Sequence, residues 1–230
     1  MTSQQDTSGA HGEEPALQNP SPNLSEKAVQ HKVRPRAFER SGGLRTAVIV
    51  MAVLYIATEW LDLPITSQLT AGGTTSGSIA YNVWMALLLL VLVATFVIVG
   101  LWLGRARRNA DRIAPDQQRL SRAWVWLGWI VPIVNFWFPK KVIDDIWRST
   151  VRNPAKPRTG RWWGTFIAAH VLSTLVALFP TALSSIGAVV TWLLASVTMT
   201  VAGVFWIRVA RTISDAQDAL AVQSPSHTRV

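Results

Sequence analysis

The chain contains no cysteine, which excludes disulfides, thiolate nucleophiles and Cys-ligated metal centres. Charge is scarce as well. Only 15% of residues are Asp, Glu, Lys or Arg, against about 25% in an average soluble domain, and none lies between Trp162 and Ile207. Recognised catalytic patterns are missing too: there is no H-E-x-x-H and no G-x-S-x-G. The pairs Gly42-Gly43 and Gly72-Gly73 lack the strand–turn–helix setting of a phosphate loop. No cleavable secretory leader is expected, because the first apolar run starts near residue 46, behind a polar stretch. These absences point away from an enzyme and predict neither cofactor nor metal.

What is present is apolar and basic. Half of the residues are hydrophobic, and 22 Lys and Arg against 13 Asp and Glu give a net charge of +9. In a soluble protein that balance suggests nucleic acid. Here the basic residues flank apolar runs, as cytoplasmic loops of membrane proteins do, so anionic lipid is the expected partner and nucleic acid is not.

Residues 1–43 are rich in Ser, Gln, Pro, Glu and Gly with Phe38 as the single aromatic, too polar to offset chain entropy, and are expected to be a disordered cytoplasmic tail that turns basic near the membrane. A membrane domain over 44–212 follows, with a polar cytoplasmic tail over 213–230. Four spans are predicted, at about 46–63, 79–104, 162–179 and 186–208, the first stopped by Pro64. The loop 65–79 and the turn at 180–185 carry no charge.

The stretch 123–139, AWVWLGWIVPIVNFWFP, decides the topology. It lies between one cluster of six Arg and another of seven Lys or Arg, so a single crossing would export one of them against the positive-inside rule. It is therefore expected to enter and leave on the cytoplasmic side, or to lie in the interface. Pro132 supports a mid-segment break, Pro139 a second, and Asn135 places a polar amide there. The fold class read from these features is an all-α integral membrane protein, with four transmembrane helices in two hairpins plus this re-entrant or interfacial segment. Both termini are expected to be cytoplasmic.

The string Trp102-x-x-Arg105-Ala-Arg107-Arg108-Asn109, followed by G-W-x-x-P-x-x-N-x-W-x-P from Gly128 to Pro139, then Trp147 and Trp162-Trp163, resembles the bacterial membrane-protein family called domain of unknown function 4328. The resemblance covers roughly residues 80–217, including Gln217, with Phe136 where Leu would be expected. It implies a multi-span protein of the bacterial cytoplasmic membrane and supplies no activity.

Candidate binding residues gather around that string. Seven of twelve Trp lie between 124 and 163, which fits an interfacial belt or an aromatic groove; Trp129 and Trp137, bracketing the break, are the groove candidates. Arg105 and Asn109 share one helix face, and Asn135 could bond to them. Arg107, Arg108, Lys140 and Lys141 complete a basic face suited to anionic lipid, to a protein partner or to a second copy of the chain. Residues 140–150 have an amphipathic pattern with Lys141–Asp145 and Asp144–Arg148 at i,i+4, and are expected along the headgroups. His170 is an ionisable group within a span, hence a functional candidate. The leading expectation is a non-enzymatic binding or scaffold component using this face; the alternative is a small transporter or channel component built on 123–139 and His170.

Overall fold

The computed structural model describes residues 39–40, 42–71, 75–151, 159–178 and 185–223. Among them are six α-helices: α1 Gly42–Ala71, α2 Thr75–Ile113, α3 Trp124–Ile130, α4 Phe138–Thr150, α5 Thr159–Leu178 and α6 Ser185–Gln223. Of the tail expected to be disordered over 1–43, residues 1–38 and 41 lie outside the described residues, while Gly42 and Gly43 already belong to α1; of the turn at 180–185, residues 180–184 lie outside as well.

Three of these helices, not the expected four, are long and apolar enough to cross a membrane: Gly42–Ala71, Gly77–Ile113 and Ile186–Val222. The chain is thus a multi-pass membrane protein whose lipid-facing character rests on α1, α2 and α6. Their outward residues are large and uncovered, Leu89, Leu90 and Val83 among them. The expected span at 162–179 falls on α5, a helix of 20 residues. With Arg161 in its first turn, its uncharged run is only 162–178, at the lower limit of length for crossing, and it does not join the other three. Instead α5 packs along α6.

The expected stop at Pro64 also gives way, since α1 runs through it to Ala71. Proline removes one backbone donor, and in membrane helices nearby hydroxyls help to accommodate such breaks. Here the missing donor is the one that would reach the Trp60 carbonyl, while Thr66 donates to the carbonyls of Asp62 at 2.6 Å and Leu63 at 3.2 Å, and Ser67 to that of Pro64 at 2.9 Å, all past that point. At the other end, α2 stops at Ile113, with only Ala114 before Pro115, because a residue preceding proline leaves helical space.

Helices α2 and α6 have 39 residues each, about 58 Å at 1.5 Å per residue, whereas the hydrocarbon layer is about 30 Å thick. They therefore outrun the bilayer, and α6 continues well past the 208 at which the span was expected to end. Around their basic ends sits the main core. Trp102, Leu103, Ala106, Ala110, Val209 and Ile213 are buried there against Val142, Ile143, Ile146 and Trp147 of α4.

That core settles α4 differently from the interfacial helix expected. Nine of its 13 residues are buried, Asp144 and Asp145 included. Asp145 pairs with Arg119 at 2.8 Å and Arg148 at 3.6 Å; Asp144 pairs with Lys140 at 2.6 Å and accepts from the Thr159 hydroxyl. Both faces are thus occupied, in different pairings from those the i,i+4 spacing suggested.

Between α2 and α4 the stretch 123–139 is broken as its prolines suggest. Helix α3 ends at Ile130, and Val131 after it is extended (φ −76°, ψ 116°) before Pro132. A single 3₁₀ turn, Val134–Phe136, follows, and Pro139 opens α4. Gly100 seats this unit against α2, since a Cβ there would lie 2.2 Å from the Trp126 ring. We expect Gly100→Ala to push Trp126 out and cost about 1–3 kcal/mol, the usual range for overpacking. The check is thermal unfolding in detergent, with Gly104→Ala, whose Cβ would meet nothing closer than 3.6 Å, remaining near wild type.

A candidate cavity above the broken segment

Helix α1 packs on α2 and on α6, and α6 on α5, while α2 and α5 share no packed interface. The bundle is therefore open on one side. Inside the opening lies a cavity of about 440 Å³, within the range of about 300–1,000 Å³ typical of small-molecule sites. Its walls come from α1, α2, α5 and α6, and its floor from Trp129, Asn135 and Phe136 of the broken segment. No Asp, Glu, Lys or Arg lines it. The close approach of α1 and α6 beside it depends on Gly203, where a Cβ would fall 2.4 Å from Ile56 Cδ1.

The floor is fastened from above. Trp163 of α5 donates its indole N–H to the Phe136 carbonyl at 2.9 Å, satisfying a carbonyl of irregular backbone from within the protein. Trp129 meets Trp163 edge-on with centroids 6.2 Å apart, Trp163 stacks on Phe166 at 5.5 Å, and Trp162 reaches Trp206 at 4.9 Å. Much of the Trp concentration is thus packed into the protein around this floor. Trp137 differs: it is exposed, touching Phe138 at 6.5 Å.

Apart from Thr95, whose hydroxyl donates to the Val91 carbonyl at 2.7 Å, polar groups enter the cavity at two levels. Asn135 stands at the floor, and its side-chain amide makes no hydrogen bond to another described residue; it does not join Arg105 or Asn109. His170 stands seven residues beyond Trp163, about 10 Å along α5. Its Nδ1 is 2.9 Å from the Phe166 carbonyl, an acceptor only, so Nδ1 carries the proton and Nε2 presents a lone pair. The Tyr55 hydroxyl lies 3.4 Å from that Nε2, a loose contact by hydrogen-bond standards. One turn further, Ser173 donates to Glu59 Oε1 at 2.8 Å, tying α5 to α1.

The basic face is differently arranged. Glu39, just before α1, is held by Arg108 through two bonds of 3.1 and 2.8 Å, with Arg112 at 3.4 Å and Arg105 at 3.5 Å. Asn109 reads its backbone in both directions, accepting from the Glu39 N–H at 3.1 Å and donating to its carbonyl at 2.9 Å. Arg105 also donates to the Arg40 carbonyl at 3.0 Å. Arg107 is buried and bonds Asp111 at 3.0 Å and the Leu120 carbonyl at 2.6 Å. Four sequence candidates, Arg105, Arg107, Arg108 and Asn109, are therefore engaged by the chain itself. Lys140 is paired with Asp144, while Lys141 is exposed with its ammonium 5.4 Å from the Phe138 ring centre. Pro132 is exposed and Pro139 buried.

A family model described as Domain of unknown function (DUF4328) matches residues 68–215. The chain belongs to that family. The match takes in the broken segment, α4, α5 and most of α6, while Glu39 and Tyr55 lie outside it. No curated protein and no solved structure matches the chain. Among the described residues no group of three or more His, Cys, Asp or Glu is placed to hold a metal ion.

Sequence reasoning missed the roles of Tyr55 and Glu39. Tyr55 could have been found from its place one turn before Glu59 on α1; Glu39 left no signal beyond being an acid in a basic stretch. Its carboxyl is held below the ordinary 4.5 by the Arg108 hydrogen bond, which outweighs the opposing effect of burial, and further by the charges of Arg108, Arg112 and Arg105. A depressed carboxyl stabilises the fold above its unfolded pKa, and that contribution is lost as pH falls through the folded value. Glu39→Gln should thus unfold at lower temperature than wild type at neutral pH, and the gap should close as the solution is acidified below the ordinary glutamate range. Paired melting curves across pH 7 to 3 check this.

Proposed function

We propose that this family member is a non-enzymatic lipid-binding protein of the bacterial cytoplasmic membrane, which admits the apolar body of a membrane lipid sideways between α2 and α5. The observation that carries the reading is the uncharged cavity, open on that side and floored by the broken segment. An aqueous solute would meet no charge there to replace its hydration, whereas a hydrocarbon chain loses nothing on entering from lipid.

The basic end of the bundle faces the cytoplasm in this reading. Arg45, Arg105–Arg112, Arg161, Arg208 and Arg211 occupy the ends of the long helices that the buried core brings together, and the opposite ends carry Glu59 and Asp62 without a basic residue. Lys141, Arg208 and Arg211 have no carboxylate within ion-pair distance among the described residues and are available to anionic headgroups, each contributing about 1 kcal/mol. A transporter reading keeps one observation in its favour, since Asn135 and His170 both reach the cavity. Substrate flux in proteoliposomes that disappears in His170→Ala would replace lipid binding by that reading.

Native mass spectrometry of gently solubilised protein should show one retained lipid. It should be lost in Leu92→Trp, which narrows the opening, and in Ala202→Trp, which fills the interior, with melting temperature unchanged in at least the first. Retention in a stable Leu92→Trp protein would remove the cavity as the lipid site.

Orientation is tested with single cysteines, which the natural chain leaves free to introduce. A membrane-impermeant maleimide should label Ser67→Cys in intact cells and Ser121→Cys only after permeabilisation; both positions are exposed.

A further inference from the structure

Resting on the lipid-binding reading, we infer that the lipid is a prenylated quinone or its quinol. The cavity has the features of a site for a flat, uncharged ring bearing oxygens on opposite sides, and not only of a groove for a chain.

The walls carry aromatic planes at every level: Phe96 on α2, Trp162 and Phe166 on α5, Trp206 on α6, and Trp129 on the floor. A saturated chain has no use for such planes beyond their area, whereas a conjugated ring gains from offset and edge-on contacts with them. Apart from Thr95, whose hydroxyl is turned to the Val91 carbonyl, polar side chains enter at two heights: Asn135 on the floor that Trp163 fastens, and the His170–Tyr55 pair above it, His170 standing about 10 Å beyond Trp163 along α5. A six-membered ring with oxygens at opposite corners, plus a hydrogen bond of about 2.8 Å at each end, bridges a gap of that order. A prenol or fatty acid offers one polar end and would leave one of the two levels unmatched.

The polar groups suit both redox forms. A quinone presents two acceptors, and Asn135 Nδ2 and the Tyr55 hydroxyl are donors; the hydroxyl is held only at 3.4 Å from His170 and is free to turn. A quinol presents two O–H donors, and the Asn135 amide oxygen and His170 Nε2 are acceptors, the latter fixed as a lone pair by the Nδ1 bond to Phe166. No charged side chain lines the site to favour an anionic ligand, and the prenyl tail leaves through the unclosed side between α2 and α5. The inference concerns binding and includes no electron transfer.

The test uses the full chain in lipid nanodiscs and a decyl-substituted benzoquinone as probe, reading quenching of Trp emission, with farnesol as a one-ended competitor. Saturable quenching is expected, weakened about tenfold by loss of a hydrogen bond in Asn135→Leu or in Tyr55→Phe. Tyr55→Phe removes one hydroxyl and keeps the fold testable if Asn135→Leu does not. For the quinol form, displacement of the quinone should weaken in His170→Leu and hold in Tyr55→Phe. If the probe binds saturably but Asn135→Leu and Tyr55→Phe leave its affinity unchanged, and farnesol displaces it equally well, the quinone inference is overturned while the hydrocarbon site stands. If neither probe nor farnesol binds saturably, both fail.

Discussion

Two carboxamides hold the basic end together. Asn109 of α2 donates to Gln217 of α6 at 3.1 Å, and Gln217 donates in turn to the Ala106 carbonyl at 2.9 Å and the Thr150 hydroxyl at 3.3 Å. Both side chains are buried, so each bond lost would leave a donor or acceptor stranded, which costs more than the bond itself contributes. The knot fixes the register of α2 against α6, as the Trp102–Ser214 bond of 3.1 Å does two turns earlier. Through Thr150 it also fixes α4. Since α4 continues directly from the broken segment, the height of the cavity floor follows from where these amides meet.

Charge in this protein has two jobs on the same residues. Clustered arginines bias an apolar segment toward one side of a bilayer, a statistical effect of many charges. Folded, several of them are consumed locally by Glu39, Asp111 and Asp145, each carboxylate serving more than one partner. The excess of base over acid thus shrinks where the arginines are densest, and Lys141, Arg208 and Arg211 carry more of the free charge than the arginine-rich motif does.

How much of this was readable follows from where hydropathy speaks. The apolar runs of α1, α2 and α6, the interruption at Pro132 and the family pattern from Trp102 to Pro139 were legible because lipid and proline impose constraints visible in composition. The end of α6 was not, since residues 213–223 look polar on average. A stripe at Val209, Ala210, Ile213, Ser214 and Gln217 has helical spacing and marks its buried face, but only a tertiary partner gives Gln217 a reason to be inside. The continuation through Pro64 was not legible either, since a proline inside a helix reads as a stop. The span count differs at α5, whose uncharged run over 162–178 is apolar but only just long enough to cross. The cavity itself was beyond reach, being a gap left by the helices that do not pack.

The length of α2 and α6 gives the molecule two solvents and two kinds of cohesion. Around Trp102, Ile143 and Ile213 the core forms by withdrawing apolar surface from water, a process with a large heat-capacity signature. Farther along the same helices there is no water to leave, and cohesion comes from close packing and interhelical bonds. The temperature curvature of folding is therefore concentrated in the segment beyond the bilayer. Cold weakens the cap before it weakens the spans, and the cap carries the cavity floor.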